Sequence, residues 1–164
     1  MAKPVPNFLE ILRVLTHYQV DFIVVGGVCA VLQGAPIATF DLDIVHSRKP
    51  ENLDKLITAL EALEAYYRVR HDLKLKPTLS HLSSPGHQLL MTRYGPLDVL
   101  GAIGKGHEYD ELIRQSIELD VGESLKVRLL TLEKHIQIKE EVARDQDKAV
   151  LPILRRTLEE KSKT

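Results

Sequence analysis

The chain is constrained most by two apolar runs, one closed by glycines and the other interrupted by acids. Asp21-Phe22-Ile23-Val24-Val25 is rich in β-branched residues and stops at Gly26-Gly27. Such a run suits a buried strand. The second run, from about Thr39 to Val45, carries Asp41 and Asp43 on either side of Leu42. Residues two apart in a strand face the same way, so the two carboxylates share one side while Leu42 faces the core. Like charges that close raise each other's pKa unless a cation joins them. Mg²⁺ meets that need, because it prefers hard oxygen ligands and leaves positions for water and substrate phosphates. Asp98 repeats the pattern among Leu97, Val99 and Leu100, and an acid in an apolar strand is costly without a partner. With the two strands adjacent, three carboxylates converge. That is enough to hold one or two divalent metals, Mg²⁺ or Mn²⁺, and to take a proton from an attacking hydroxyl. An Asp-x-Asp pair alone equally suits a solvated edge strand, a turn, or a partnership with Lys or Arg.

The rest of the chain alternates helical and extended patterns. Phe8, Ile11, Leu12 and Leu15 recur at helical spacing between Asn7 and His17. A short helix over Val28–Leu32 is closed by Gly34 and Pro36. Pro50 opens a longer helix with Leu53, Leu56, Ile57, Leu60 and Leu63 on one face. The stretch from Tyr66 to Gly86 has no clean period and reads as loop with one strand at most. His87–Tyr94 and Leu97–Leu100 read as strands of a hairpin turning at Gly95-Pro96. A helix over Glu108–Gln115, short strands near Ile117–Leu119 and Leu125–Val127, and helices over Leu132–Val142 and Asp147–Lys161 complete the order. The expected fold class is α/β (α+β), a small mixed sheet flanked by helices. The expected organisation is one domain over residues 1–164, with its core at about 20–101 and a C-terminal helical part at about 107–161.

Gly26-Gly27 stands between a strand and a helix. There glycine lets backbone approach a phosphate, and the helix start offers free N–H groups; without a ligand the same pair is simply a tight turn. The string Val25-Gly26-Gly27-Val28-Cys29-Ala30-Val31-Leu32-Gln33-Gly34, followed by Ala38-Thr39-Phe40-Asp41-Leu42-Asp43-Ile44, resembles the signature of the nucleotidyltransferase (DNA polymerase β-like) superfamily. It is most similar to the small bacterial and archaeal members, among them toxins of type IV toxin–antitoxin systems related to abortive infection proteins. The resemblance implies the nucleotidyltransferase fold, with Gly26 and Gly27 at the nucleotide phosphates and Asp41, Asp43 and Asp98 as metal-binding and catalytic carboxylates. Lys139, Arg144 and Asp147 resemble a helical motif of the toxin-like branch, which makes Lys139 and Arg144 candidate nucleotide-binding residues. Two positions depart from the pattern: Val28 stands where many members carry Ser or Thr, and Ile37 where many carry Arg. Arg48, Lys49 and Arg93 are the nearby cations that could replace the missing charge.

The implied activity moves a nucleoside monophosphate from an NTP to a hydroxyl on RNA, tRNA, protein or a small molecule. The alternative is a nucleotide-binding or partner-binding member without turnover, such as one component of a toxin–antitoxin pair acting with a cognate antitoxin. The formal net charge of -1 offers no global basic field for nucleic acid. A single cysteine, Cys29, excludes an intrachain disulfide and fits a reducing, cytoplasmic setting. The N-terminus lacks the pattern of a signal peptide, no apolar stretch approaches membrane-spanning length, and no membrane partner is expected. The histidines, including His46 beside the acidic strand, show no zinc-ligand spacing.

Overall fold

A computed structural model describes residues 6–163. Helix α1 (Phe8–His17) begins at Asn7, whose side-chain oxygen accepts a hydrogen bond from the Glu10 amide at 3.2 Å. This cap satisfies an amide that the first helical turn leaves without a partner. The helix buries Ile11, Leu12 and Leu15 in the main core. Strand β1 (Phe22–Val25) is buried at every residue and runs directly into α2 (Gly26–Leu32). Strand β2 (Leu42–His46) follows, then α3 (Pro50–Ala62), β3 (Tyr66–Tyr67), α4 (Leu79–Ser83), β4 (His87–Thr92) and β5 (Gly95–Leu100). A small hairpin of β6 (Ala102–Ile103) and β7 (His107–Glu108) leads to α5 (Tyr109–Leu112). Strands β8 (Ser116–Asp120) and β9 (Lys126–Leu130) and helices α6 (Leu132–Val142) and α7 (Asp145–Ser162) complete the order.

The main sheet has seven strands in the order β3-β4-β5-β2-β1-β9-β8. Pairs β2/β5 and β1/β9 are parallel and the others antiparallel, so the sheet is mixed as the sequence pattern implies. Leu42 and Ile44 on β2, Leu97 and Val99 on β5, and Leu56 and Leu60 on α3 lie within one continuous core. Each fully buried leucine contributes about 1.5–3 kcal/mol of transfer free energy. A second, smaller cluster joins Ala30 of α2 and Ala35 to Ile136 of α6 and Leu151 and Leu154 of α7. Cys29 sits at the α2–β9 contact, fully buried, with its thiol donating to the Leu130 carbonyl at 3.2 Å. Among the described residues no helix is long and apolar enough to cross a membrane.

Several local expectations are revised. The aperiodic stretch from Tyr66 to Gly86 contains a 3₁₀ turn at His71–Leu73 and the one-turn helix α4 as well as β3. Helix α4 forms because Thr78 caps it, accepting from the His81 amide at 3.3 Å; a five-residue helix is too short to show a hydrophobic period. The expected helix over Glu108–Gln115 is only α5 continued by a 3₁₀ turn. Strands β8 and β9 extend beyond the expected limits, and α7 starts at Asp145 rather than Asp147. Asp41 lies in a bend just before β2, not inside the strand.

The β6–β7 hairpin is drawn onto α6. Gly104 packs so closely on Ile138 that a Cβ there would come within 2.7 Å of the Ile138 side chain. His107 bridges Glu111 through Nδ1 and Glu141 of α6 through Nε2, each at 2.7 Å, and Lys134 of α6 lies 3.1 Å from Glu111. Hydrogen bonding to Glu141, seconded by Glu111, raises the His107 pKa.

Candidate active site

The register of the sheet brings the acids together. Val25 of β1 stands opposite Asp43 of β2, which stands opposite Asp98 of β5, which stands opposite Leu89 of β4. Side chains opposite one another in adjacent strands share a face, so Asp43 and Asp98 emerge side by side while Leu42 and Leu97 enter the core. The bend before β2 adds Asp41. One carboxylate oxygen from each of Asp41, Asp43 and Asp98 lies within 4.8 Å of the others. Burial, followed by the charges of Asp98 and Asp41, pushes the Asp43 carboxyl up to about 8. Burial and Asp98 also raise Asp41, against an opposing pull from Arg68.

The donor set suits a divalent cation. Asp43 Oδ1 is buried and has no hydrogen-bond partner among the described residues, a condition that costs about 1–3 kcal/mol for a neutral group and more for a charge. All the converging atoms are hard carboxylate oxygens, the class favoured by Mg²⁺ and Mn²⁺.

The glycine pair is shaped by the same acids. Gly26 adopts φ +70°, and a Cβ on it would fall 2.3 Å from Asp43 Oδ2. A Cβ on Gly27 would fall 2.7 Å from Thr39 Oγ1, and that hydroxyl donates to the Asp41 carbonyl at 3.2 Å. Both glycines therefore let the β1–α2 turn press against the segment that carries the carboxylates. The Gly26→Ala protein should lose about 2 kcal/mol, from left-handed strain plus the clash. Thermal melts with and without Mg²⁺ check this: a displaced Asp43 predicts a smaller metal-induced rise as well as a lower baseline.

Across a cavity of about 360 Å³ Asp43 and Asp98 face α6 and the start of α7. Val25, Gly26, Asp43 and Asp98 line one side, Ile103 and Gly104 of the hairpin another, and His135, Ile138, Lys139, Arg144 and Asp147 the third. Asp147 is only 2% exposed and accepts from Lys139 Nζ at 3.1 Å, Arg144 Nε at 3.0 Å and the Arg144 amide at 3.2 Å. Burial alone would raise its pKa, but the hydrogen bonds from Arg144 and Lys139 outweigh that and lower it. Ala143, in the left-handed conformation between α6 and α7, makes the corner that allows both cations to reach this carboxylate.

His135 is buried on the same wall, with Nδ1 unpartnered among the described residues. Burial, seconded by Lys139, pushes its pKa down to about 4. Between the ordinary histidine value of about 6.5 and this lowered value, the unfolded chain binds a proton that the folded chain does not. Stability should therefore fall as pH drops from about 6.5 to 4. Chemical denaturation at a series of pH values should show this slope, and His135→Gln should flatten it.

Arg68, which the motif does not predict, reaches the cluster. It follows β3 and lies 2.7 Å from Asp98 Oδ1 and 4.0 Å from Asp41 Oδ2. None of the cations expected to compensate for Ile37 lines the cavity. Arg48 pairs with Glu108 and donates to the Ser83 carbonyl at 2.9 Å, Lys49 precedes α3, and Arg93 lies 3.8 Å from Glu64. Val28 is buried in the main core and Ile37 packs on the α2–α6–α7 cluster, so neither faces the cavity. His46 is likewise buried, bonded through Nδ1 to the Ser47 carbonyl at 3.0 Å. A larger groove of about 550 Å³ between the end of α3 and β3 contains none of the three acids.

No protein-family model and no curated protein sequence matches the chain. Solved structures do. A Thermotoga maritima protein with a provisional nucleotidyltransferase assignment superposes with a TM-score of 0.57 at 17% identity, covering 93% of this chain and 91% of its own. The lincosamide antibiotic adenylyltransferase LnuA, bound to lincomycin, gives 0.61 at 18% identity, over 90% of this chain and 94% of that one. The antibiotic-resistance factor ANT(2'')-Ia gives 0.59 at 15% identity, over 94% and 84%. With its mixed sheet and flanking helices, the chain has the nucleotidyltransferase fold.

Proposed function

We propose that this protein is a metal-dependent nucleotidyltransferase that moves a nucleoside monophosphate from an NTP to a hydroxyl acceptor. The observation that carries the reading is the convergence of Asp41, Asp43 and Asp98 within 4.8 Å, with a buried Asp43 oxygen left without a partner among the described residues. The acceptor oxygen forms a bond to the α-phosphorus as the bond to the bridging oxygen breaks, and pyrophosphate leaves. In this scheme Asp98 accepts the hydroxyl proton. A bound Mg²⁺ or Mn²⁺ supplies positive charge that offsets the triphosphate. Asp41, Asp43 and Asp98 would hold that ion, Gly26 and Gly27 admit the phosphates close to the backbone, and Lys139 and Arg144 add charge from across the cavity. Holding acceptor and donor in line accounts for much of the rate.

One observation supports a second reading, nucleotide binding without turnover. Val28 gives no hydroxyl and Ile37 no charge to the phosphates, and both are packed into apolar clusters. A labelled-NTP assay separates the readings. Each of the four NTPs is incubated with the protein, Mg²⁺ or Mn²⁺, and total RNA, a protein extract or lincomycin, the last chosen because LnuA binds it. Label that appears on an acceptor and is lost in the Asp41→Ala/Asp43→Ala protein supports transfer. Label on tRNA or protein would fit a toxin-like role held in check by an antitoxin; label on lincomycin would fit a resistance role. Metal-dependent NTP binding without label selects the second reading, and neither binding nor label rejects both.

A further inference from the structure

We propose that Arg68 is a positioning residue that serves as the resident counter-cation of the carboxylate cluster, and that a divalent metal must displace it from Asp98. The inference rests on the metal-binding reading of Asp41, Asp43 and Asp98 and deepens it by naming what limits metal entry.

Arg68 is tied at both ends. Its amide donates to the Leu89 carbonyl at 3.0 Å, fixing the base of the side chain beside β4. At the tip, Nη1 donates to the Leu90 carbonyl at 2.7 Å while Nη2 faces Asp98 and Asp41. The side chains of Arg68 and Asp98 are only 26% and 13% exposed, so water screens the pair less than it screens a surface ion pair. The contact is also poorly formed: Nη2 lies 2.7 Å from Asp98 Oδ1, yet among the described residues that oxygen receives no hydrogen bond with acceptable geometry. Charge attraction without a directional bond marks a partner that can be exchanged.

The consequence is competition between two cations for one carboxylate. With the guanidinium 2.7 Å from Asp98 Oδ1 and 4.0 Å from Asp41 Oδ2, an arriving metal meets like charge, so apparent metal affinity falls by the fraction of time Arg68 holds that position. Displacement need not expel the arginine from the site, because the Leu90 carbonyl retains Nη1. The same cation spares the metal-free cluster part of its mutual repulsion, since its guanidinium lies 2.7 Å from Asp98 and 4.0 Å from Asp41.

Calorimetric titration with Mn²⁺, together with melts in EDTA and in Mg²⁺, tests this on the parent, Arg68→Gln, Arg68→Lys and Asp43→Asn proteins. Arg68→Gln should bind Mn²⁺ about fivefold or more tightly than the parent, melt lower in EDTA, and show a larger Mg²⁺-induced rise. Arg68→Lys, which keeps the charge without the fork, should fall between. A residue that merely supports the structure would weaken metal binding as it lowers stability, so the opposite movement of the two readouts distinguishes the roles. If the parent binds Mn²⁺ in an Asp43-dependent manner and Arg68→Gln binds equally or less well, the counter-cation role is wrong while the metal site stands. If parent binding is absent or survives Asp43→Asn, the metal site itself is wrong and the inference falls with it.

Discussion

The Asp43→Asn protein should transfer nucleotide about a thousandfold more slowly than its parent or worse, yet melt at a higher temperature in EDTA. The loss of rate follows from removing a central oxygen donor where charge must be neutralised; removing one preorganised electrostatic contact of this kind commonly costs 10²–10³-fold, and loss of metal costs more. The gain in stability follows from the repulsion that Asp43 bears. Its pKa lies at about 8 in the folded protein against an ordinary value of about 3.9. Between those values the folded chain binds a proton that the unfolded chain does not, so metal-free stability declines as pH rises across the window. Asparagine keeps the shape and removes the charge, which should recover about 1–3 kcal/mol at neutral pH and reduce that slope, the raised Asp41 leaving a smaller one. Single-turnover transfer and calorimetric melts at several pH values measure both effects. Intact activity, or a lower melting temperature in EDTA, would contradict the prediction.

The second large effect is expected at Asp147. Its carboxylate is nearly inaccessible and receives hydrogen bonds from Lys139, the Arg144 guanidinium and the Arg144 amide. Breaking a fully buried ion pair costs about 3–5 kcal/mol. Here Arg144 is 60% exposed and can return to water, so about 2 kcal/mol is the better figure for Asp147→Ala. That corresponds to roughly 4–8 °C in melting temperature for a chain of this size. Asp147→Asn, which can still accept from the Arg144 amide but lacks charge, should lose about half as much. Because the freed cations no longer share one orientation across the cavity, NTP affinity should fall severalfold in both variants, measurable by equilibrium binding. An unchanged melting temperature would mean that the cluster contributes no net stability.

How far the sequence announces this arrangement depends on how local each part is. The β1 run, the glycine pair and Asp41 and Asp43 lie close together in the chain, and strand alternation assigns the two acids a common side, although Asp41 reaches it from the bend before β2 and not from the strand itself. Asp98 is visible as an acid out of place in an apolar strand. Its register opposite Asp43 is not visible, because it depends on a parallel pairing across α3, β3, α4 and β4 that no local period encodes. Arg68 has no sequence signature at all. It follows a strand of two residues, and only the pairing of β3 with β4 and the reach of its side chain bring it to Asp98. Conversely, Arg48 is nearer the acids in sequence but is drawn to Glu108. The resemblance names Lys139, Arg144 and Asp147 together, but not that both cations close on the one carboxylate: that needs the left-handed corner at Ala143, a residue with no compositional mark of a turn.

The buried thiol at the α2–β9 contact gives the protein an internal clock. Cys29 is the only cysteine, is fully buried, and is pushed up to about 12, chiefly by burial. Thiolate is the reactive form, so an alkylating reagent should find essentially none in the closed molecule. Modification must wait until α2 separates from Leu130, which couples labelling to an opening of the same turn that presses on Asp43. The rate at which one mass unit of reagent is taken up per chain therefore counts those openings with no engineered probe. A ligand that binds only the closed form slows the count in proportion to its occupancy.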